Sequence, residues 1–185
     1  MRTLIVYGTV EGQTRKIADA VKAHLQEAGE EVVLVDTSER TGTMSFDGVD
    51  RVILAASVHE RRHPKPFEVF VASSRDDLSR RPTLFLSVSL KAAFADGREE
   101  AQEYVDEMKL RTGLNPTMEL LVPGAIRSES YDFYAAQVLR HVVLAGQDVD
   151  PSARDHEFTD WDALKAAVTR FLTDTATAKE PETGH

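Results

Sequence analysis

The chain has 185 residues, no cysteine and a formal net charge of −9 at pH 7, with 42% apolar and 29% charged residues. That length and composition suit one soluble globular domain with a sizeable core. The missing cysteines exclude a disulfide framework, a thiol nucleophile and a Cys-ligated cluster, and the acidity argues against nonspecific nucleic-acid binding or a polybasic membrane patch. No apolar run approaches the ~20 residues that span a bilayer, and the first residues lack the pattern of a signal peptide. A cytoplasmic location is therefore expected.

A short apolar run, Leu4 to Tyr7, opens the chain as a strand and stops at Gly-Thr-Val-Glu-Gly-Gln-Thr (8–14). Ile17, Ala18, Val21 and Leu25 then recur at helical spacing, which puts a helix start near Gln13. A strand feeding a helix through such a loop aims free N–H groups and the positive end of the helix dipole at one point, a ready phosphate site. Thr9 and Thr14 add hydroxyl donors, Gly8 and Gly12 allow close backbone approach, and Val10, Glu11 and Gln13 complete the candidate loop. Gly12 is followed by no Lys-Ser or Lys-Thr, so this is not a Walker loop, and the dinucleotide G-x-G-x-x-G pattern is absent. Neutral donors without a cation suit a phosphate monoester; the alternative is an ordinary βα turn rich in small residues.

Strand and helix signals then alternate. Residues 31–36 carry Val-Val-Leu-Val, a buried strand, followed by a polar stretch over 37–46 with little helical periodicity. Residues 51–57 read as the third strand, 65–74 as a short helix and 82–88 as the fourth strand. A helix over 98–112, a fifth strand over 118–122, a helical region over 131–145 and a last helix over 160–175 complete the pattern. The apolar positions Val138, Leu139, Val142, Val143 and Leu144 suit either the core or a homodimer face. Residues 1–175 are read as one domain and 176–185 as a flexible tail. Five strands separated by helices imply a parallel sheet covered on both faces, with ligands outside the carboxyl ends of the strands.

Two further loops should meet the first one there. Ala-Ala-Ser-Val-His-Glu-Arg-Arg-His-Pro (55–64) combines small residues, Ala56, Ser57 and Val58, that let a flat ring approach with a cationic cluster of His59, Arg61, Arg62 and His63. Arg forks there suit substrate carboxylates, and a solvated charged loop is the plainer alternative. His59 and His63 have i, i+4 spacing, but Pro64 argues against a helical metal pair, and no metal is expected. Ser87, Val88, Ser89 and Leu90 offer hydroxyls and backbone to the polar edge of a ring, and Lys91 could balance negative charge. Asp96 is the expected cap of the next helix. Phe94 either stacks on a ring or staples its loop to the core, and Trp161, in Thr-Asp-Trp at a helix start with Thr159 or Asp160 as cap, reads as a packing anchor.

Thr-Val-Glu-Gly-Gln-Thr-Arg-Lys-Ile-Ala (9–18), Ala-Ala-Ser-Val-His (55–59), Phe-Leu-Ser-Val-Ser-Leu (85–90), Pro-Gly-Ala-Ile-Arg (123–127) and Phe-Thr-Asp-Trp (158–161) run nearly end to end. With these segments the chain resembles the flavodoxin-like, menaquinone-dependent protoporphyrinogen IX dehydrogenases. Gly-Ala-Ile-Arg and Thr-Asp-Trp carry most weight, because flavodoxins at large do not share them. The resemblance implies a flavodoxin-like three-layer α/β sandwich with a five-stranded parallel sheet in the order 2-1-3-4-5. It implies noncovalent FMN held by residues 9–14, 56–58 and 87–90, and six-electron oxidation of protoporphyrinogen IX to protoporphyrin IX in haem biosynthesis. Electrons would pass to a quinone acceptor, with peripheral membrane contact. On that reading His59 relays protons, while Arg61, Arg62 and Arg127 hold propionates and Phe94 touches substrate. The chain departs from the family's basic character over 90–116, where Asp96, Glu99, Glu100, Glu103, Asp106 and Glu107 are acidic. A flavodoxin-type FMN electron carrier and a cofactor-free binding module of the same fold are the alternatives.

Overall fold

Strand β1 (Arg2–Gly8) sends Leu4 and Val6 to one side of a sheet and Ile5 and Tyr7 to the other, the period of two that extended backbone imposes. The structure is a computed structural model that describes residues 1–40, 42–126 and 155–176. β1 pairs in parallel with β2 (Glu31–Asp36) and β3 (Arg51–Ser57), and β4 (Thr83–Ser89) and β5 (Met118–Pro123) extend the sheet. The order is β2-β1-β3-β4-β5, as the resemblance implied. β3 and β4 are buried along almost their whole length, which is why they read as continuous apolar runs.

Helices cover both faces. On one side α1 (Gln13–Glu27) and the final helix, α5 (Trp161–Ala176), bury Ile17, Leu25, Leu164, Val168 and Phe171 against Ile5, Ile53 and Leu86. On the other, α2 (Lys65–Ser73) and α4 (Arg98–Thr112) bury Phe67, Val71, Val105 and Met108 against Leu54 and Phe85. Each such side chain contributes about 1.5–3 kcal/mol of transfer free energy, so the two apolar clusters fix which loops face each other at the sheet's carboxyl edge.

Three details differ from the sequence reading, and a fourth decides between two caps it left open. A short helix, α3 (Arg75–Ser79), follows α2 directly; it buries only Leu78 and is too brief to show a period. Asp96 is not the cap of α4: Gly97 holds that position, already in right-handed helical geometry after a 3-10 turn over Ala95–Gly97, with no side-chain cap. A small antiparallel pair, β6 (Ala125–Ile126) with β7 (His156–Glu157), has two residues per strand and therefore no readable alternation. Helix α5 is capped by Asp160, whose Oδ1 accepts from Ala163 N at 3.0 Å, so Asp160 is the cap and Thr159 is not. The expected helix over 131–145, with its core-or-dimer alternatives, lies outside the described residues, as do Arg127 and residues 177–185. Among the described residues no helix is long and apolar enough to cross a membrane.

Candidate functional site

The chain leaves β1 toward β2 on one side and returns to β3 on the other, so the loops after β1 and β3 part at the carboxyl edge of the sheet. Such a divergence opens a crevice in parallel sheets. Three loops border it: residues 9–14, 58–64 and 90–97.

The first loop turns tightly into the start of α1. Gly8 touches its neighbours so closely that a Cβ would lie 2.9 Å from Phe67 Cβ, and Gly12 has φ +91°, a left-handed conformation that glycine adopts without strain. Gly12 N–H donates to Thr9 Oγ1 at 2.9 Å, which folds the loop back on itself. Helix α1 begins with no side-chain cap and no acidic residue in its first turn. Its leading amides, among them those of Thr14 and Arg15, have no carbonyl to reach within the helix. Thr14 is fully buried and its Oγ1 has no hydrogen-bond partner. A buried hydroxyl left unpaired costs about 1–3 kcal/mol, and an oxyanion seated on the loop removes that cost.

Gln13 turns its side chain the other way. Its Nε2 donates to Glu157 Oε1 at 2.9 Å and to Thr159 Oγ1 at 3.0 Å, tying the loop to β7 and the start of α5. Glu157 also accepts from Lys16 Nζ at 2.6 Å and from Trp161 Nε1 at 3.1 Å. Burial works against its charged form, but these hydrogen bonds outweigh it and pull the carboxyl down to about 2. Thr159 Oγ1 in turn donates to Pro123 O at 2.7 Å. Trp161 packs on the α1/α5 core as the expected anchor, with Lys16 Nζ 5.3 Å from its ring centre. Glu157 escaped sequence reasoning because nothing local marks it beyond its place just before Phe-Thr-Asp-Trp, and Thr159, read only as a candidate cap, ties Gln13 to Pro123 instead.

The second loop carries a tight turn. His59 and Arg62 exchange both backbone hydrogen bonds, at 2.9 and 3.0 Å, around Glu60 (φ +48°) and Arg61 (φ +67°). Two left-handed residues between paired flanks make a hairpin turn of the kind Asn-Gly usually supplies. His59 stands at the rim with Nδ1 3.8 Å from Glu11 Oε1, bridging the first two loops. Val58 N–H is taken by Val88 O at 2.8 Å, Ala56 is buried in the α2/α4 core, and the buried Ser57 Oγ has no partner.

His63 and Ser87 leave the rim altogether. His63 Nε2 and Ser87 Oγ lie 2.9 Å apart, both buried, and the imidazole packs 5.4 Å from the Phe85 ring centre. Burial, partly offset by Glu68, pushes the imidazole down to about 4, so it is neutral at physiological pH. Ser89 Oγ accepts from Ala92 N at 3.2 Å and so shapes the third loop. Phe94, 7% exposed, packs edge-on to Phe158 at 5.6 Å in a cluster with Leu90 and Ile126. That is the staple of the two roles read for it.

The basic rim is met by the acidic helix. Arg61 Nη1 reaches Glu100 at 2.9 Å and its Nη2 reaches Glu103 at 3.7 Å; Lys91 Nζ reaches Glu100 at 2.8 Å. Hydrogen bonds from Lys91 and Tyr104 hold the Glu100 carboxyl below the usual range. Glu68, its side chain 9% exposed, accepts from Arg62 at 3.0 Å and from Arg111 at 2.6 Å. Burial opposes its charge, and the two guanidiniums overcome that and lower its pKa. Among the described residues no three metal-ligating side chains gather.

The flavodoxin domain model matches residues 4–151, four-fifths of the chain and all three loops. The chain belongs to the flavodoxin domain family. Within it, the chain is similar to the protoporphyrinogen IX dehydrogenase [quinone] of Escherichia coli K12, with 27% identity over 183 residues covering 97% of this chain and 100% of that one. Oxidised flavodoxin 1 of Bacillus cereus has the same fold, with a TM-score of 0.57, 14% identity and coverage of 94% and 98%. A Fusobacterium nucleatum flavodoxin variant bound to flavin mononucleotide aligns with a TM-score of 0.52 and 9% identity, covering 97% of each chain.

Proposed function

We propose that this flavodoxin-family chain is an FMN-dependent oxidoreductase that oxidises protoporphyrinogen IX to protoporphyrin IX and passes the electrons to a quinone. The observation that carries the substrate is the end-to-end match to a relative of that name. Support for FMN comes from the first loop: an uncapped helix start, a left-handed Gly12 and the unpartnered Thr14 hydroxyl suit a terminal phosphate. Residues 9–14 would hold that phosphate, and residues 57–58 and 88–90 would flank the ring, with the buried Ala56 and Ser87 backing it from within the sheet.

FMN supplies the electron-accepting chemistry when bound, and the protein supplies orientation and charge. His59 is the imidazole suited to move protons, because it is half-exposed at the rim and faces Glu11. His63 is unsuited, being buried, neutral and committed to Ser87. Arg61 and Arg62 would receive propionates, each after giving up an ion pair it now makes, to Glu100 and to Glu68 respectively. Arg127 keeps the same proposed role, and Phe94 would meet the substrate only at the edge left open by its packing on Phe158. A quinone acceptor is consistent with contact at a membrane surface rather than passage through one.

The test is anaerobic protoporphyrinogen oxidation by the FMN-loaded protein, followed by porphyrin fluorescence. The reading predicts turnover that requires both FMN and menaquinone. An FMN-loaded protein that oxidises no porphyrinogen would instead be an electron carrier.

A further inference from the structure

Resting on the porphyrinogen reading, we propose that Glu100 is a built-in competitor seated in a carboxylate site formed by Arg61 and Lys91, and that a substrate carboxylate binds by displacing it. The two oxygens of Glu100 are divided between two cations: Oε1 meets Arg61 Nη1 at 2.9 Å and Oε2 meets Lys91 Nζ at 2.8 Å. Tyr104 OH also donates to Oε1. The cations arrive on different loops, one after β3 and one after β4, and converge on a single carboxylate from α4. Charged donors shared between both oxygens are what a bound carboxylate ligand needs.

Two further features fit a seat rather than a surface pair. Glu60 and Arg61 are the only non-glycine residues with positive φ among those described, so backbone strain is concentrated where the guanidinium is delivered. The Arg61 guanidinium also lies 5.2 Å from the Tyr104 ring centre, which holds it in place whether or not Glu100 remains. The occupant is displaceable, since the side chains of Arg61, Lys91 and Glu100 are 56%, 29% and 31% exposed. Ion pairs this wet hold weakly. A carboxylate on a large apolar body anchored elsewhere in the crevice arrives at high effective concentration and wins the exchange.

A purely structural Glu100 makes the opposite prediction. If it only ties two loops together, neutralising it loosens the crevice and weakens every porphyrin alike. If it competes, neutralising it strengthens carboxylate ligands and leaves esters untouched.

The experiment titrates protoporphyrin IX and its dimethyl ester into the FMN-loaded protein, read by porphyrin fluorescence. Glu100→Gln should bind the free acid about two- to fivefold tighter than wild type, the range an exposed ion pair commands. Its affinity for the diester should not change. Glu99→Gln removes the same charge from an exposed neighbour on α4 and should leave both affinities within the effect of net charge alone. Arg61→Gln should weaken the acid and spare the diester. Equal affinity of wild type and Glu100→Gln for the acid, or weakening of acid and ester together, overturns the competitor role while the porphyrin reading stands. Retained FMN with no binding of either porphyrin by wild type overturns the substrate reading and this inference with it.

Discussion

Gln13 Nε2 and Glu157 Oε1 lie 2.9 Å apart across 144 residues of sequence. The contact joins the first residue of α1 to a two-residue strand just before the last helix. It ties the C-terminal part of the fold to the loop that follows β1.

Replacing Glu157 should therefore be felt in folding. Glu157→Ala strips an acceptor from Gln13, Lys16 and Trp161, and the loss of hydrogen bonds to a charged group costs about 1.5–3 kcal/mol each when fully buried. With the side chain 28% exposed, a total of about 1–3 kcal/mol is expected. That lowers Tm by about 2–4 °C per kcal/mol in a chain of this size. Trp161 is the sole tryptophan, so its emission reports the change directly.

The same carboxyl sets an acid limit. Its pKa is about 2 when folded against 4.5 unperturbed, so the unfolded chain takes up the proton first as pH falls. The stabilisation is complete above pH 4.5 and disappears as pH falls toward 2. Urea unfolding at pH 6 and pH 3 should show the gap between wild type and Glu157→Gln narrowing at the lower pH. A gap that stays constant would contradict the assignment.

His63 acts over a different window. Its imidazole sits at about 4 when folded against 6.5 unperturbed, so between those values the unfolded chain binds the extra proton. Its contribution is whole above pH 6.5 and falls as pH drops to 4. His63→Leu should flatten the stability profile across that interval, at the expense of leaving Ser87 Oγ without its partner. An unchanged slope would show that the titration belongs to other groups.

Thr14 separates binding from folding. Thr14→Val keeps the shape and removes a hydroxyl that has no partner in the protein, so stability without ligand should hold or rise slightly. A hydrogen bond to a charged phosphate contributes about 1.5–3 kcal/mol, so FMN affinity should fall by about 10- to 100-fold. Riboflavin, which lacks the phosphate, should bind both proteins alike.

How far the sequence announced these features depends on whether the cause was local. β1 and β3 are continuous buried runs, and α4 repeats Ala101, Tyr104, Val105 and Met108 on one face, so their limits could be read directly. The glycines of residues 8–14 and the apolar spacing after them likewise made the tight turn and the helix start at Gln13 legible. What stayed hidden depends on partners far away in sequence. The cationic loop looked free because Glu100 and Glu68 belong to other elements. Ser87 looked like a rim donor, yet the strand period turns its hydroxyl to the Phe85 side of the sheet, where His63 waits. The acidity of α4, unexplained as composition, supplies the counter-charges of the rim.

The central claim is that the residue 9–14 loop binds the phosphate of a flavin. The most direct measurement is the visible absorbance of the purified protein after incubation with FMN and desalting. The account predicts flavin bands that persist at about one equivalent per chain and that Thr14→Val loses on the same column. A wild-type protein that emerges colourless would contradict it.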